Sequence, residues 1–213
     1  MTTTMKKSLL ILCTVAAGLF INSAEAQCYD ENTHLINLGV GFGNSYYKFN
    51  RIKGYDYGRT PVFALSYEQP LPKKVGPGYI GVGAYFSFQH AQERYTYDHY
   101  YYNGLDYNDT YYQHNWNYYV IAARGAYHWD VLNSDKAEVY AGTIIGVRIN
   151  SYNFTYNNPN PNYVDKNERS EGAVYPAVAV YAGARWYFSE HVGFYGEVAS
   201  GLSVITGGFT FKF

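Results

Sequence analysis

The sequence predicts an all-β chain, an eight-stranded antiparallel up-and-down transmembrane β-barrel. Three observations predict it. From His34 onward the apolar residues recur with a period of two, the spacing of a strand with one buried face and not that of a helix. The links between alternating segments are short and long by turns. An export signal precedes them all.

The segments justify themselves in order. The first, about 34 to 44, sets Ile36, Leu38, Val40 and Phe42 against Asn37, Gly39, Gly41 and Gly43. The second, about 60 to 68, sets Phe63, Leu65 and Tyr67 against Val62, Ala64, Ser66 and Glu68. In the third, about 78 to 90, Ile80, Val82, Ala84, Phe86 and Phe88 oppose Tyr79, Gly81, Gly83, Tyr85, Ser87 and Gln89. The fourth, about 115 to 129, sets Tyr119, Ile121, Ala123, Tyr127 and Trp129 against Arg124, Ala126 and His128. The fifth, about 137 to 150, places Val139, Ala141, Thr143, Ile145, Val147 and Ile149 opposite Glu138, Tyr140, Gly142, Gly146 and Arg148.

The sixth, about 172 to 188, carries Val174, Val178, Val180, Trp186 and Phe188 against Ala177, Tyr181, Gly183 and Arg185. Pro176 falls inside it and cannot donate to a ladder, so the strand starts later or has a bulge or an unpaired edge there. The seventh, about 192 to 201, opposes Phe194, Gly196 and Val198 to Tyr195, Glu197 and Ala199; the eighth, about 204 to 213, opposes Ile205, Phe209, Phe211 and Phe213 to Thr206, Gly208, Thr210 and Lys212. Links after the second, fourth and sixth segments are short, and those after the first, third and fifth run 15 to 25 residues. An outer-membrane barrel has that asymmetry, with short periplasmic turns and long external loops.

Residues 1–26 read as a signal peptide: Lys6 and Lys7, an apolar run of 13 residues from Leu9 to Ile21, and Ala24-Glu25-Ala26 before the cleavage point. The run is too short to span a bilayer as a helix, which takes ~20 residues. Residues 27–33 form a short periplasmic lead-in, and 34–213 form the barrel. After cleavage Cys28 is the only thiol, so no intrachain disulfide can form, and the residues before it do not make a lipoprotein box. With 16 basic against 17 acidic residues, the chain has no electrostatic footprint for nucleic acid.

A soluble lipocalin-type barrel would turn the apolar face inward. Three features decide for the opposite orientation. The polar face carries Glu68, Arg124, Arg148, Arg185 and Glu197 among many glycines, a mix of small and very large residues that suits a narrow packed lumen. Aromatics of the apolar face gather at both strand ends, as two interfacial girdles would. The last strand puts Phe209, Phe211 and Phe213 on one face and ends on an aromatic residue. The charged lumen residues are expected to plug the interior, with Arg185 meeting Glu197 across the hairpin that joins the sixth and seventh segments.

Gly201-Leu202-Ser203 through Thr210-Phe211-Lys212-Phe213 resembles the closing strand of outer-membrane barrels. The segments Arg124 to Trp129, Gly183 to Phe188 and Phe194 to Glu197 resemble those of the small porin-superfamily outer membrane protein beta-barrel domain family, whose architecture OmpA-like and OmpX-like barrels share. The resemblance implies residence in the bacterial outer membrane among its lipids. It also implies recognition of Phe209, Phe211 and Phe213 by the barrel-assembly machinery. It implies no single activity.

No catalytic constellation stands out. Ser189-Glu190-His191 are consecutive in a tight turn and cannot form a nucleophile, base and orienter. His90, His99 and His114 with Asp98, Asp106 and Asp109 are irregularly spaced for a metal site, and Gly39 to Gly43 has no following helix to cradle a phosphate. No cofactor is expected. The unusual feature is the stretch from Tyr95 to Tyr112, with Tyr95, Tyr97, Tyr100, Tyr101, Tyr102, Tyr107, Tyr111 and Tyr112 beside Asn103, Asp106, Asn108 and Asp109. Tyr and Asn together make recognition surfaces, so this region reads either as a contact for an extracellular ligand or as an extension of the barrel wall. The expected role is structural or surface-interacting in a monomer. The alternatives are a narrow porin-like channel for small solutes and a lipid-modifying enzyme.

Overall fold

The computed structural model describes residues 28–43, 54–97, 99–107, 110–129, 132, 134–157, 169–201 and 203–213. The signal peptide read over residues 1–26 lies outside them, as do Asp98, Asn108 and Asp109. The strands are β1 Leu35–Phe42, β2 Tyr55–Arg59, β3 Val62–Pro70, β4 Gly78–Thr96, β5 Tyr100–Tyr102, β6 Leu105–Tyr107, β7 Tyr111–Trp129, β8 Ala137–Asn157, β9 Arg169–Tyr187, β10 Val192–Ala199 and β11 Ile205–Lys212. All pairings are antiparallel, and the order β3-β1-β11-β10-β9-β8-β7 closes through β7 onto β4, which returns to β3.

β2 and β3 are two parts of one wall strand, which makes the ring eight-stranded. Arg59 pairs with Ala91 and Phe63 with Phe88, so three residues of one strand face two of the other. This is a bulge at Thr60-Pro61, where a residue without an N–H interrupts no ladder. Its consequence is a change of phase: even positions point inward on β3 and odd ones on β2. The tip hairpin β5–β6 turns at Asn103 and Gly104, both at positive φ, as a tight two-residue hairpin requires.

Pro176 lies inside β9 opposite Val147, so the strand neither starts later nor bulges there. Val180 accepts from the Ser200 N–H, which places the backbone polar groups of even β9 residues on the β10 side. β10 pairs no further up than Tyr181. The missing donor of Pro176 therefore faces a side where no strand pairs, the unpaired edge among the expected alternatives.

The two faces divide as the period-two pattern demands. Ala177 is 2% exposed and Val178 61%; Ile144 is 2% exposed and Ile145 61%. Outside lie Leu38, Phe63, Leu65, Phe86, Ile121, Val180 and Phe194. Trp186, Phe188, Phe194 and Phe209 form a continuous aromatic belt on the short-turn side, with successive ring centroids 6.4, 5.0 and 5.2 Å apart. Phe88 and Tyr119 pair at 5.1 Å toward the other end. From Ile80 to Phe88 the strand is roughly 26 Å long, which at the ~40° tilt of strands in such barrels is a height of about 20 Å, somewhat under the ~25 Å of a lipid-facing apolar band.

The strands differ greatly in length. β4, β7 and β9 have 19 residues and β8 has 21, whereas β1, β10 and β11 have 8. Four of the expected segments are therefore longer than their alternation suggested: β4 continues to Thr96, β7 begins at Tyr111, β8 runs to Asn157 and β9 starts at Arg169. Much of the stretch from Ala91 to His114, expected as a loop, is wall with a hairpin at its tip. The cause is a change in which face is apolar, and it conceals the extra strand from a search for one continuous apolar face.

The seam of the barrel joins its first and last strands. His34 donates its N–H to the Phe213 carbonyl at 2.9 Å and accepts from the Phe213 N–H at 3.1 Å. Their rings stack at 5.9 Å. Phe209, Phe211 and Phe213 all share the outward phase of β11.

Candidate functional site

The lower half of the lumen is filled by side chains whose charges are matched one by one. Glu68 ends β3, Arg124 and His128 stand on β7, Glu138 opens β8, Arg185 closes β9 and Glu197 lies on β10, all in the inward phase. The Arg124 guanidinium donates to Glu68 at 3.0 Å and to both oxygens of Glu197 at 2.6 and 3.3 Å. Tyr140 donates its hydroxyl to Glu197 at 2.9 Å, and the Arg185 guanidinium lies 4.0 Å from the centre of the Tyr140 ring. Arg124 lies over Tyr181 at the same distance. Burying this many charges is tolerable only where each is paired and hydrogen-bonded.

Arg185 does not take the expected partner. It donates to Glu138 and stands 3.8 Å from Glu68. The reason is register: Arg185 is directly opposite Glu138 on β8, while across β10 it faces Tyr195 and Glu197 faces Gly183. Equal distance from a turn is not equal height when the turn is offset. Arg148, expected in the same network, sits higher in the barrel with its guanidinium 5.0 Å from the Tyr175 ring centre.

His128 completes the network and was not among the expected residues. Its Nε2 lies 2.5 Å from Glu68 and its Nδ1 3.2 Å from Glu138. Two carboxylates against two ring nitrogens are both served only by the imidazolium, since neutral imidazole has one N–H. Three carboxylates then face three cations. Gly81 and Gly183 make the room: a Cβ on Gly81 would meet Tyr29 Oη at 2.7 Å and Glu68 at 2.9 Å, and one on Gly183 would meet Tyr140 at 2.7 Å.

The chain's own N-terminal segment closes the short-turn mouth. Cys28 and Tyr29, from the stretch read as a periplasmic lead-in, are buried. The Tyr29 ring stacks on His128 at 3.7 Å with 12° between planes. Burial pushes the Cys28 thiol up to about 12, which leaves it protonated and a poor nucleophile.

Above the Phe88–Tyr119 pair the polarity of the wall inverts. The outer face becomes His90, Gln92 and Arg94 on β4, Asn117, Asn115 and Gln113 on β7, and Ser151, Asn153 and Thr155 on β8. They bond along the surface: His90 with Asn117 at 2.9 Å, Arg94 to Gln113 at 2.7 Å and Gln113 to Asn115 at 2.6 Å. The inner face becomes aromatic in the same phase that carries charge below. Trp116, His114 and Tyr112 on β7 lie beside Tyr152 and Phe154 on β8, with Tyr95 of β4 and Tyr55 of β2 at the upper edge.

These rings form one connected sheet of contacts. His114 stacks on Trp116 at 5.7 Å and on Tyr152 at 5.9 Å, with Nδ1 2.7 Å from the Tyr152 hydroxyl. Trp116 meets Tyr152 at 5.5 Å, and Tyr95 meets Tyr112 at 5.3 Å and Tyr97 at 5.1 Å. Tyr55 and Tyr112 join their hydroxyls. Burial lowers the His114 pKa below the ordinary imidazole value, with Glu93 opposing. Tyr101 is 71% exposed on the tip hairpin, stacked on His99 at 6.2 Å, and Tyr100, Tyr102 and Tyr107 take backbone positions in the same hairpin.

No protein-family model matches the chain, and no curated protein matches it in sequence. Solved structures do. The attachment invasion locus protein Ail of Yersinia pestis is 15% identical at a TM-score of 0.38, over 86% of this chain and 95% of that one. The N-terminal β-barrel domain of Pseudomonas aeruginosa OprF is 10% identical at 0.38, over 86% and 98%. The outer membrane protein OprG of the same organism is 12% identical at 0.37, over 89% and 99%. The barrel itself stands on this chain's own closed strand pairing.

The other residues singled out from sequence are separately engaged. His99 pairs with Asp106 at 2.7 Å, while His90 and His114 bond to Asn117 and Tyr152. Among the described residues no three His, Cys, Asp or Glu side chains converge as a metal-binding group. Ser189 caps its own turn through the Val192 N–H at 3.0 Å, and His191 bonds the Lys212 carbonyl at 3.0 Å. Sequence reasoning missed Tyr29, His128, Glu138, Tyr140, Trp116, Tyr152 and Phe154 as site residues. The last three continue the inward phase of their strands at a period of two, and that parity is the signal that finds them.

Proposed function

We propose that the mature chain, cleaved near Ala26, resides as a monomer in the bacterial outer membrane, with a sealed lumen and a recognition surface raised outside the cell. The observation that carries this reading is the inversion of polarity at Phe88 and Tyr119. Below it the outer face is apolar and suits lipid; above it the same face is Asn, Gln, Ser and Thr and suits water. A soluble carrier gives no reason for such a step. The matched charges of the lower lumen and the Tyr29 stopper weigh against a channel, and the turn-capping role of Ser189 and His191 weighs against a lipid-modifying enzyme. Phe209, Phe211 and Phe213 serve in this reading as the grip of the barrel-assembly machinery. The Tyr-rich upper wall, with Tyr101 at its tip, is the surface offered to an extracellular partner.

An epitope inserted between Asn103 and Gly104 tests the topology. Antibody should label it on intact cells to the same extent as on lysed cells. Labelling confined to lysed cells would place the tall wall in the periplasm and overturn the reading.

A further inference from the structure

The inner face of the tall wall contains a depression of about 650 Å³ bounded by Trp116, Asn150, Tyr152, Glu171, Ala173 and Tyr175. That volume is typical of small-molecule sites, roughly 300–1,000 Å³. Its shape follows from the register. Trp116 faces Tyr152, Tyr152 faces Glu171, Asn150 faces Ala173 and Arg148 faces Tyr175, so three aromatic rings stand around one small alanine across β7, β8 and β9. Trp116, Tyr152 and Tyr175 line the hollow together with the Asn150 amide and the Glu171 carboxylate. The Asn150 side-chain carbonyl oxygen has no hydrogen-bond donor among the described residues.

We propose that this depression is a binding site for a neutral sugar ring of a glycan. The proposal rests on the reading of the upper wall as outside the cell. A pyranose presents apolar C–H faces and a hydroxyl edge. The faces fit against Trp116 and Tyr152 or Tyr175, where a ring buries area with little loss of rotamer freedom. The hydroxyls bond to the Asn150 side-chain amide, whose carbonyl oxygen is buried before a ligand enters, and donate to Glu171. Among the described residues the inner face carries Glu93 and Glu171 against Arg59, Arg148 and Arg169. At the hollow itself Glu171 is the charged residue of the lining, and the Arg148 guanidinium lies over Tyr175. A lining whose charge is a carboxylate disfavours a sulfated or uronate-rich chain. Trp116 is itself held by stacking on His114, which bonds to the Tyr152 hydroxyl, and by contact with the Tyr152 ring, so the platform is set before a ligand arrives.

The test uses the full mature protein in a detergent without a sugar headgroup, on an array of gluco-, galacto-, manno- and N-acetylglucosamine oligomers beside sulfated and uronate oligomers. Saturable binding to at least one neutral oligomer is expected. Trp116→Ala should weaken it roughly tenfold or more, and Asn150→Ala should also weaken it, while Glu190→Ala in the exposed short turn leaves it unchanged. Retention of the heat-modifiable gel shift checks that each variant is folded, and Tyr175→Leu replaces Trp116→Ala if that one is not. Binding only to sulfated or uronate oligomers, binding insensitive to Trp116 and Tyr175, or no binding would overturn the proposal. With the Asn103–Gly104 epitope reachable on intact cells, a blank array defeats the sugar site alone; an unreachable epitope defeats the topology beneath it.

Discussion

Below Phe88 and Tyr119 the strands are apolar outside and charged inside; above them the same strands are polar outside and aromatic inside. On β4, β7 and β8 neither the backbone nor the period of two changes across that line; the β2–β3 strand shifts phase there at its bulge. On the placement proposed above, what changes is the medium each face meets: lipid below that line and water above it. In the lower barrel lipid makes an outward polar group costly, so the polar residues must point into a lumen narrow enough for Glu68, Glu138 and Glu197 to find Arg124, Arg185 and His128. In the upper wall water already solvates the outer face, which frees the inner face to hold aromatic rings. The lower half is a structure that must be neutral and full, and the upper half is one that can afford a hollow.

The comparison can be broken at the seam, where the largest effect is expected. Ending the chain at Lys212 removes an outward aromatic and both backbone bonds that tie Phe213 to His34. Outer-membrane levels of the folded protein should collapse. Wild-type levels would show that neither the terminal aromatic nor the last rung of the seam matters.

A smaller effect, and one that sharpens the contrast between the halves, is expected from Glu197→Gln. Arg124 would keep Glu68 but lose its bidentate partner, and Tyr140 would lose a charged acceptor. Breaking a buried ion pair from one side costs about 3 kcal/mol or more, so the temperature at which the heat-modifiable gel shift is lost should fall. The corresponding loss of charge in the wall, Glu93→Gln, should leave that temperature unchanged. Equal shifts in both variants would mean that the lumen charges are no more coupled than charges at a wet surface.

Most of the barrel was legible in the sequence because a lipid face and a lumen face differ so sharply in residue type. Glu68, Arg124 and Glu197 could be assigned to one interior from their phase alone. Their partners could not, since the pairing of Arg185 with Glu138 depends on register and turn offset, which alternation does not encode. His128 was visible in the right phase, yet only its position between two carboxylates gives it a role. The upper wall was obscured for a different reason. Its outer face is as polar as a loop, and its Tyr, Trp and Phe residues fall on the face that is charged below, so alternation of one apolar face ends there although the strands continue. The Tyr29 stopper carries no local signal at all, because a single buried tyrosine before the first strand is defined by what it stacks on.

The claim that joins these observations is that one outer face passes from lipid to water between Phe86 and Gln92. Single cysteines placed in a Cys28→Ser background at Ala84, Phe86 and Ile121, and at Gln92, Asn115 and Asn153, would each carry a nitroxide label in the barrel reconstituted into lipid vesicles. Collisions with oxygen, which concentrates in lipid, should dominate at the first three positions, and collisions with a water-soluble paramagnetic reagent at the last three. A uniform response along all six positions, whether lipid-like or water-like, would contradict the account.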